Sequence, residues 1–105
     1  MEAELRKHGI NPTLYLRQAR KQAKVWGYDP KNFTFSDRDG YKLMSLEPKR
    51  HFGRIGYGDF ILWSMVDKDE AERRRERFWK SHTKIKGNWK KDDYSPNNLA
   101  LRVLW

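Results

Sequence analysis

The spacing of apolar residues changes period twice along this chain, and that change most constrains the fold. Between residues 12 and 26, apolar side chains recur every three or four positions, which is the spacing of one helix face. Between 33 and 53, short apolar runs alternate with turn residues, a pattern typical of strands. From 67 to 82 the pattern is helical again. This order predicts an α+β domain, with a small three-stranded antiparallel meander packed by about four helices.

Capping residues predict where two of the helices begin. Asn11-Pro12 is typical of an N-cap followed by the first helical position, and Gly27 predicts the end of that helix. Its expected inward face is Tyr15, Ala19, Ala23 and Trp26. Ser95-Pro96 repeats the start signal, and it predicts a terminal helix with a docked, apolar end at Trp105.

The middle of the chain predicts the sheet and its surroundings. Strands are expected at Phe33–Phe35, at Tyr41–Leu46 and around His51–Gly53, with the first long helix covering one face. The apolar run from 60 to 66 is expected in the core, although its pattern leaves helix and strand open. Glycines at 53, 56 and 58 predict tight turns, with a modest anion site at Arg54 as the alternative.

The size and composition predict one folded domain spanning residues 1–105. A chain of 105 residues has room for a single core, and fifteen aromatic residues argue against disorder despite 35% charged residues. Four tryptophans in apolar settings are expected in that core: Trp26, Trp63, Trp79 and Trp105. The absence of cysteine excludes disulfides, and no segment has the apolar length of a signal peptide or a membrane span. We therefore expect a soluble protein that is not secreted.

The net charge of +9 favours an acidic partner. Nucleic acid is the first choice, although an anionic membrane surface or an acidic protein face would be attracted by the same field. The charge is concentrated between 73 and 91, where nine basic residues face one acid, Glu76. The candidate anion-binding residues in this segment are Arg73, Arg74, Arg77, Lys80, Lys84, Lys86, Trp89, Lys90 and Lys91.

Two interpretations of these residues stay open. The arginines could contact phosphates, or they could pair with the acids that precede them on the same helix. The lysines from 84 to 91 have no acid nearby until Asp92, so for them phosphate binding is favoured. Trp89, set among lysines, is the candidate for an exposed stacking contact, and a role in covering the core is the alternative.

No arrangement in the sequence is typical of catalysis. The three histidines, His8, His51 and His82, are scattered without a metal-ligand spacing, and no Ser-His-Asp set or carboxylate pair is evident. We therefore expect a protein that is not an enzyme and that needs no metal or cofactor.

An ordered series of short motifs covers the second half of the chain. It comprises His51-Phe52-Gly53, Gly56-Tyr57, Asp59-Phe60, Arg77-Phe78, Ser81-His82, Lys84-Ile85-Lys86-Gly87, Trp89, the segment from Tyr94 to Leu101, and Leu104-Trp105. The series resembles an uncharacterised family of small basic proteins that are encoded by large DNA viruses of algae and protists and by some phages. The acid-rich stretch from Asp67 to Glu72 departs from that pattern.

The resemblance implies a viral origin and offers no catalytic residues. Together with the basic segment, it leads us to expect a small binding protein of the virion or of the infected cell's cytoplasm that contacts the nucleic acid backbone. The alternative is a minor capsid or other virion structural protein that docks on acidic capsid protein.

Overall fold

The computed structural model describes all 105 residues and contains five α-helices and one three-stranded sheet. The helices are α1 (Glu2–Lys7), α2 (Pro12–Val25), α3 (Phe60–Ser64), α4 (Lys68–His82) and α5 (Pro96–Leu99), and the strands are β1 (Phe33–Phe35), β2 (Tyr41–Leu46) and β3 (Lys49–Arg54). A π-helical segment, Ala100–Leu104, continues α5, and 3₁₀ turns lie at Pro30–Asn32 and Asn88–Lys91. The predicted α+β class is confirmed. None of the helices combines the length and apolar character that crossing a membrane requires.

Helix α2 begins and ends where its capping residues predict. The Asn11 side chain accepts the N–H of Thr13 at 2.9 Å, and Pro12 occupies the first turn. Tyr15, Ala19 and Ala23 are fully buried, as expected. Trp26 was expected beside them, but it is 45% exposed because the helix ends at Val25 and turns this residue off the buried face.

The sheet is the predicted meander, with the strands in the order β1-β2-β3 and both pairs antiparallel. Leu43 of β2 lies opposite Phe35 on one side and Phe52 on the other. Helix α2 covers this sheet, since the ring of Tyr15 stacks on Phe35 at 6.5 Å and Arg20 donates a hydrogen bond to the Phe33 carbonyl at 3.0 Å. Successive strand residues point to opposite faces, so the burial of both Lys42 and Leu43 means that β2 is covered on both sides.

A buried group of three polar side chains, the Asp59 network, connects α2, β2 and α3. The Oδ2 atom of Asp59 accepts the Tyr15 hydroxyl at 2.7 Å and the Lys42 ammonium at 2.8 Å, and Lys42 also donates to the Tyr57 carbonyl. The Oδ1 atom of Asp59 accepts the N–H of Leu62 at 2.8 Å and so caps α3. Burial, the charge of Asp59 and the hydrogen bond to it raise the pKa of the Tyr15 hydroxyl well above its usual value.

The C-terminal segment docks on the core, as its apolar sequence predicts. Leu101, Val103 and Leu104 are buried, and the side chain of Gln22 donates to the Val103 carbonyl at 3.0 Å. Gly53 makes this docking possible, because it has a φ of +76° and a Cβ there would lie 2.6 Å from Cδ1 of Leu104. A side chain at position 53 would therefore push the terminal segment away from β3.

The four tryptophans expected in the core lie at its edge instead. Trp63, Trp79 and Trp105 are half-buried, and Trp26 stacks on Trp79 with ring centroids 5.5 Å apart. Smaller side chains fill the centre, the largest being Tyr15, Phe33 and Phe52. In a domain of this size the central volume is taken by these rings, so the wider indoles pack between helices at the surface.

The Asp59 network predicts that one substitution in it lowers the free energy of unfolding more than two substitutions together. Lys42→Met leaves a buried carboxylate without its cation, so we expect a loss of about 3–5 kcal/mol in the free energy of unfolding. Adding Asp59→Asn removes the orphaned charge but retains an oxygen for capping α3, so stability should recover in part. Urea denaturation measures both variants, and a cost of under about 1 kcal/mol for Lys42→Met alone would contradict this account.

Candidate nucleic-acid interface

Helix α4 carries both signs of charge, arranged in favour of its own stability. The side chain of Asp67 caps the helix by accepting the N–H groups of Asp69 and Glu70 at 3.1 and 3.2 Å. Acids lie in the first turn and basic residues in the last, which complements the helix dipole. In total the helix has four acids and six lysines or arginines, so little of its positive charge is in excess.

Glu70 lies at the centre of the arginine row. Its carboxylate oxygens lie 2.7 Å from Arg73, 2.8 Å from Arg74 and 3.8 Å from Arg77. Hydrogen bonds from Arg73 and then Arg74 lower the pKa of Glu70, which keeps this carboxylate ionised. Lys80 has an acid partner as well, Glu76 at 3.4 Å. All four of these predicted site residues therefore have an acid partner on their own helix, which agrees with the second interpretation of the sequence, internal pairing.

Two arginines also hold α4 against α3. The guanidinium of Arg74 lies 4.0 Å from the ring centroid of Trp63, and that of Arg75 lies 4.6 Å from the ring centroid of Phe60. Cation–π contacts of this kind stabilise a partly buried interface while the charged group keeps its contact with water. Arg74 and Arg75 therefore give α4 packing contacts with α3 although their side chains are charged.

The residues that follow α4, from Thr83 to Lys91, form a segment that we call the basic loop. It contains four lysines and no acid. Lys84, Lys86 and Lys91 are exposed and have no carboxylate within 4.0 Å. Lys90 differs, because its ammonium donates to the Thr83 carbonyl and lies 5.6 Å from the Trp89 ring centroid. Three of the predicted lysines are therefore available to a partner, and the fourth closes the loop.

A buried asparagine fixes the shape of the basic loop. Asn98 is 3% exposed, and its Nδ2 atom lies 2.9, 3.1 and 2.9 Å from the carbonyl oxygens of Trp89, Lys90 and Asp92, so its two N–H groups donate to three carbonyls with one hydrogen shared. The hydroxyl of Ser95 donates to the Trp89 carbonyl as well, at 2.8 Å. These bonds anchor the 3₁₀ turn to the start of α5, so the loop presents its lysines from a defined backbone.

The burial of Trp89 is intermediate between its two predicted roles, an exposed stacking contact and a cover for the core. It is half-buried, its indole N–H donates to the Ile85 carbonyl at 3.2 Å, and its ring meets His82 edge to face at 6.4 Å. Trp89 therefore stabilises the loop and also joins it to the end of α4. His82 is itself half-buried, and burial lowers its pKa below the usual value.

The structure adds Asn97 and Asn98, which the sequence pattern did not single out for the site, and it gives Ser95, His82 and Arg54 a place beside the basic loop. Asn98 and Ser95 anchor the loop, while Asn97, His82 and Arg54 line a cleft beside it. Two adjacent asparagines just inside a helix are unusual, because asparagine favours caps and turns over helix interiors. This unusual pair, Asn97-Asn98, was the sequence feature that could have pointed to the site, although it could not identify the carbonyls that Asn98 binds.

No His, Asp or Glu side chains gather in threes in a way that could hold a metal ion. A comparison with protein-family models, with curated proteins and with solved structures finds no match to this chain. The resemblance to a viral family thus stays a prediction from the sequence motifs.

The anchoring of the basic loop can be tested with two adjacent asparagines. Asn98→Leu removes the amide that binds three carbonyls and leaves that of Lys90 without a donor, so we expect a loss of about 1–3 kcal/mol and faster cleavage by trypsin after Lys90 and Lys91. Asn97→Leu is the matched control, because the Asn97 side chain makes no hydrogen bond within the chain. Equal cleavage rates in the two variants would show that Asn98 does not hold the loop.

Proposed function

We propose that this protein binds nucleic acid through phosphate contacts made by the basic loop. The observation that carries the proposal is that Lys84, Lys86 and Lys91 are exposed and lack acid partners on a loop fixed by Asn98. A lysine that forms no internal pair keeps its full charge for a phosphate. A fixed loop also loses less conformational entropy on binding than a mobile one does.

The arginines of α4 contribute to this function as a secondary group. Arg73 and Arg77 keep 61% and 73% of their side-chain surface exposed while they share one carboxylate, so they add to the field around the loop. Contacts to the backbone do not distinguish one sequence from another. The proposal therefore implies weak sequence preference, steep salt dependence and no catalytic step.

The biological setting of the proposal comes from the motifs in the second half of the chain. A small basic protein of viral origin that binds the nucleic acid backbone would act on the genome, either in the virion or in the cytoplasm of the infected cell. The resemblance supports this setting, and the basic loop supports the binding.

A minor virion structural protein is the second candidate, and a separate observation favours it. Tyr57 and Val66 are 73% and 74% exposed, and they line a groove of about 510 Å³ between α1, residues 56–58 and α3. Apolar side chains in this position suit a protein contact, with the basic loop facing acidic capsid protein. Mass spectrometry of purified particles tests this role, and absence of the protein from the particle would end it.

Replacement of three lysines tests the proposed function directly. In the variant Lys84→Gln, Lys86→Gln, Lys91→Gln, three phosphate contacts are lost, so the slope of log K against log salt should flatten by about 2 to 3. Affinity at 0.1 M salt should fall at least about tenfold. Fluorescence anisotropy with labelled oligonucleotides across a salt series measures both quantities.

The control removes the same charge from another surface. Arg17, Lys21 and Lys24 are exposed on α2 and form no ion pair, so their replacement by Gln lowers the net charge equally. We expect this variant to retain most of the affinity and of the salt slope. If the two triple variants weaken binding equally, the basic loop is not the binding site. If the wild-type protein binds no nucleic acid at low salt, the proposed function is wrong.

A further inference from the structure

A cleft of about 440 Å³ lies between β3, the end of α4 and the terminal segment. One wall is a stack of three rings: Phe78 lies 4.2 Å from Trp105 and 4.0 Å from His82, with interplanar angles of 8° and 21°. The three rings are half-buried, and all three residues line the cleft. An aromatic wall of this kind suits a flat, unsaturated ligand.

Two polar side chains in the cleft have no partner in the protein. Neither the imidazole of His82 nor the amide of Asn97 makes a hydrogen bond to another residue, in contrast to the adjacent Asn98 with its three bonds. Burial lowers the pKa of His82, so at neutral pH the imidazole offers one donor and one acceptor. The Asn97 amide offers both as well. Together they can match the mixed donor and acceptor edge of a polar ring.

The charge of the cleft argues against a polyphosphate or another highly charged ligand. The Lys42 ammonium at its floor is neutralised by Asp59 at 2.8 Å. Arg54 is the one charged side chain of the cleft without an ion-pair partner, and its guanidinium lies 4.7 Å from the Tyr41 ring centroid. A neutral, flat ligand with hydrogen-bonding edges fits this balance better than a phosphate does.

The cleft is continuous with the basic loop through His82. This residue lines the cleft, and its ring also meets Trp89 of the loop at 6.4 Å. The first lysine of the loop, Lys84, follows two residues later. A polymer held by its phosphates along the loop would therefore carry its neighbouring bases past the opening of the cleft.

We propose that this cleft receives one unstacked nucleobase of a single-stranded nucleic acid whose phosphates lie on the basic loop. The proposal rests on the proposed function and deepens it, since it selects single strands over duplexes. A base in a duplex has both faces stacked and its pairing edge occupied, whereas a base in a single strand can turn out and stack on protein rings. Asn97 and His82 bind its edge, and the three-ring stack packs against it.

Nucleosides test the cleft without involving the loop, because they carry no phosphate. We expect adenosine or cytidine at millimolar concentration to shift the NMR signals of the His82 ring and the Asn97 amide, and ribose to shift neither. Inorganic phosphate, in contrast, should shift signals of the basic loop. The absence of any nucleoside effect at the cleft up to the solubility limit would overturn the proposal.

A comparison of single strand and hairpin duplex of equal length supplies the second test. We expect the wild-type protein to prefer the single strand, and Asn97→Leu to weaken single-strand binding by about fivefold while duplex binding and the salt slope stay unchanged. His82→Phe, which keeps a ring in the stack and removes its hydrogen-bonding nitrogens, should weaken single-strand binding in the same way and provides the second variant if Asn97→Leu alters the urea midpoint.

The outcomes separate the two proposals. If the protein binds neither nucleic acid, the proposed function itself has failed. If it binds both equally, with Asn97→Leu without effect and the triple lysine variant still weakened, the basic loop stands and the base-binding cleft is overturned.

Discussion

The buried carboxylate of Asp59 is the interaction on which the arrangement of this domain depends. It accepts hydrogen bonds from Tyr15 of α2 and Lys42 of β2, and it caps α3 through the N–H of Leu62. Burial of an ion pair costs several kcal/mol in desolvation, and here good geometry and extra hydrogen bonds offset that cost. The benefit is positional, because three elements that are distant in sequence meet at one residue.

The position of α3 in turn determines where the charged helix lies. Helix α4 packs on α3 through Arg74 over Trp63 and Arg75 over Phe60, so its arginines are used in holding the fold together. Glu70 takes up more of their charge. Between residues 73 and 91, the positive charge without an acid partner therefore lies after the end of the helix, in the basic loop. A charge run in a sequence thus overstates the charge that a partner meets.

Much of the fold could be predicted because its signals are local. Asn11-Pro12 and Ser95-Pro96 begin their helices as their residue types indicate, and the alternating pattern from 33 to 53 predicts the observed strand pairing. The position of Trp26 could not be predicted, since helical spacing continues through it while the helix itself ends one residue earlier. An apolar context does not say whether an indole reaches the centre of the domain or its edge.

The candidate site could be predicted only in part, for the same physical reason. The lysines of the loop are visible as a run without acids, but the conformation that presents them depends on contacts outside that run. Asn98 binds carbonyls six to nine residues before it, and the cleft combines Arg54 of β3 with Asn97 of α5. The tertiary fold brings these residues into contact, and no pattern in a single sequence predicts such contacts.

Photocrosslinking tests the location of the ligand most directly. A single-stranded oligonucleotide carrying 5-bromodeoxyuridine is irradiated with the intact wild-type protein, and the crosslinked peptides are identified by mass spectrometry. The account predicts crosslinks to aromatic residues of the cleft and the basic loop, namely Phe78, Trp89 and Trp105, and their disappearance at high salt. Crosslinks confined to α1 and α2 would contradict it, because no residue of these two helices lines the cleft or belongs to the basic loop.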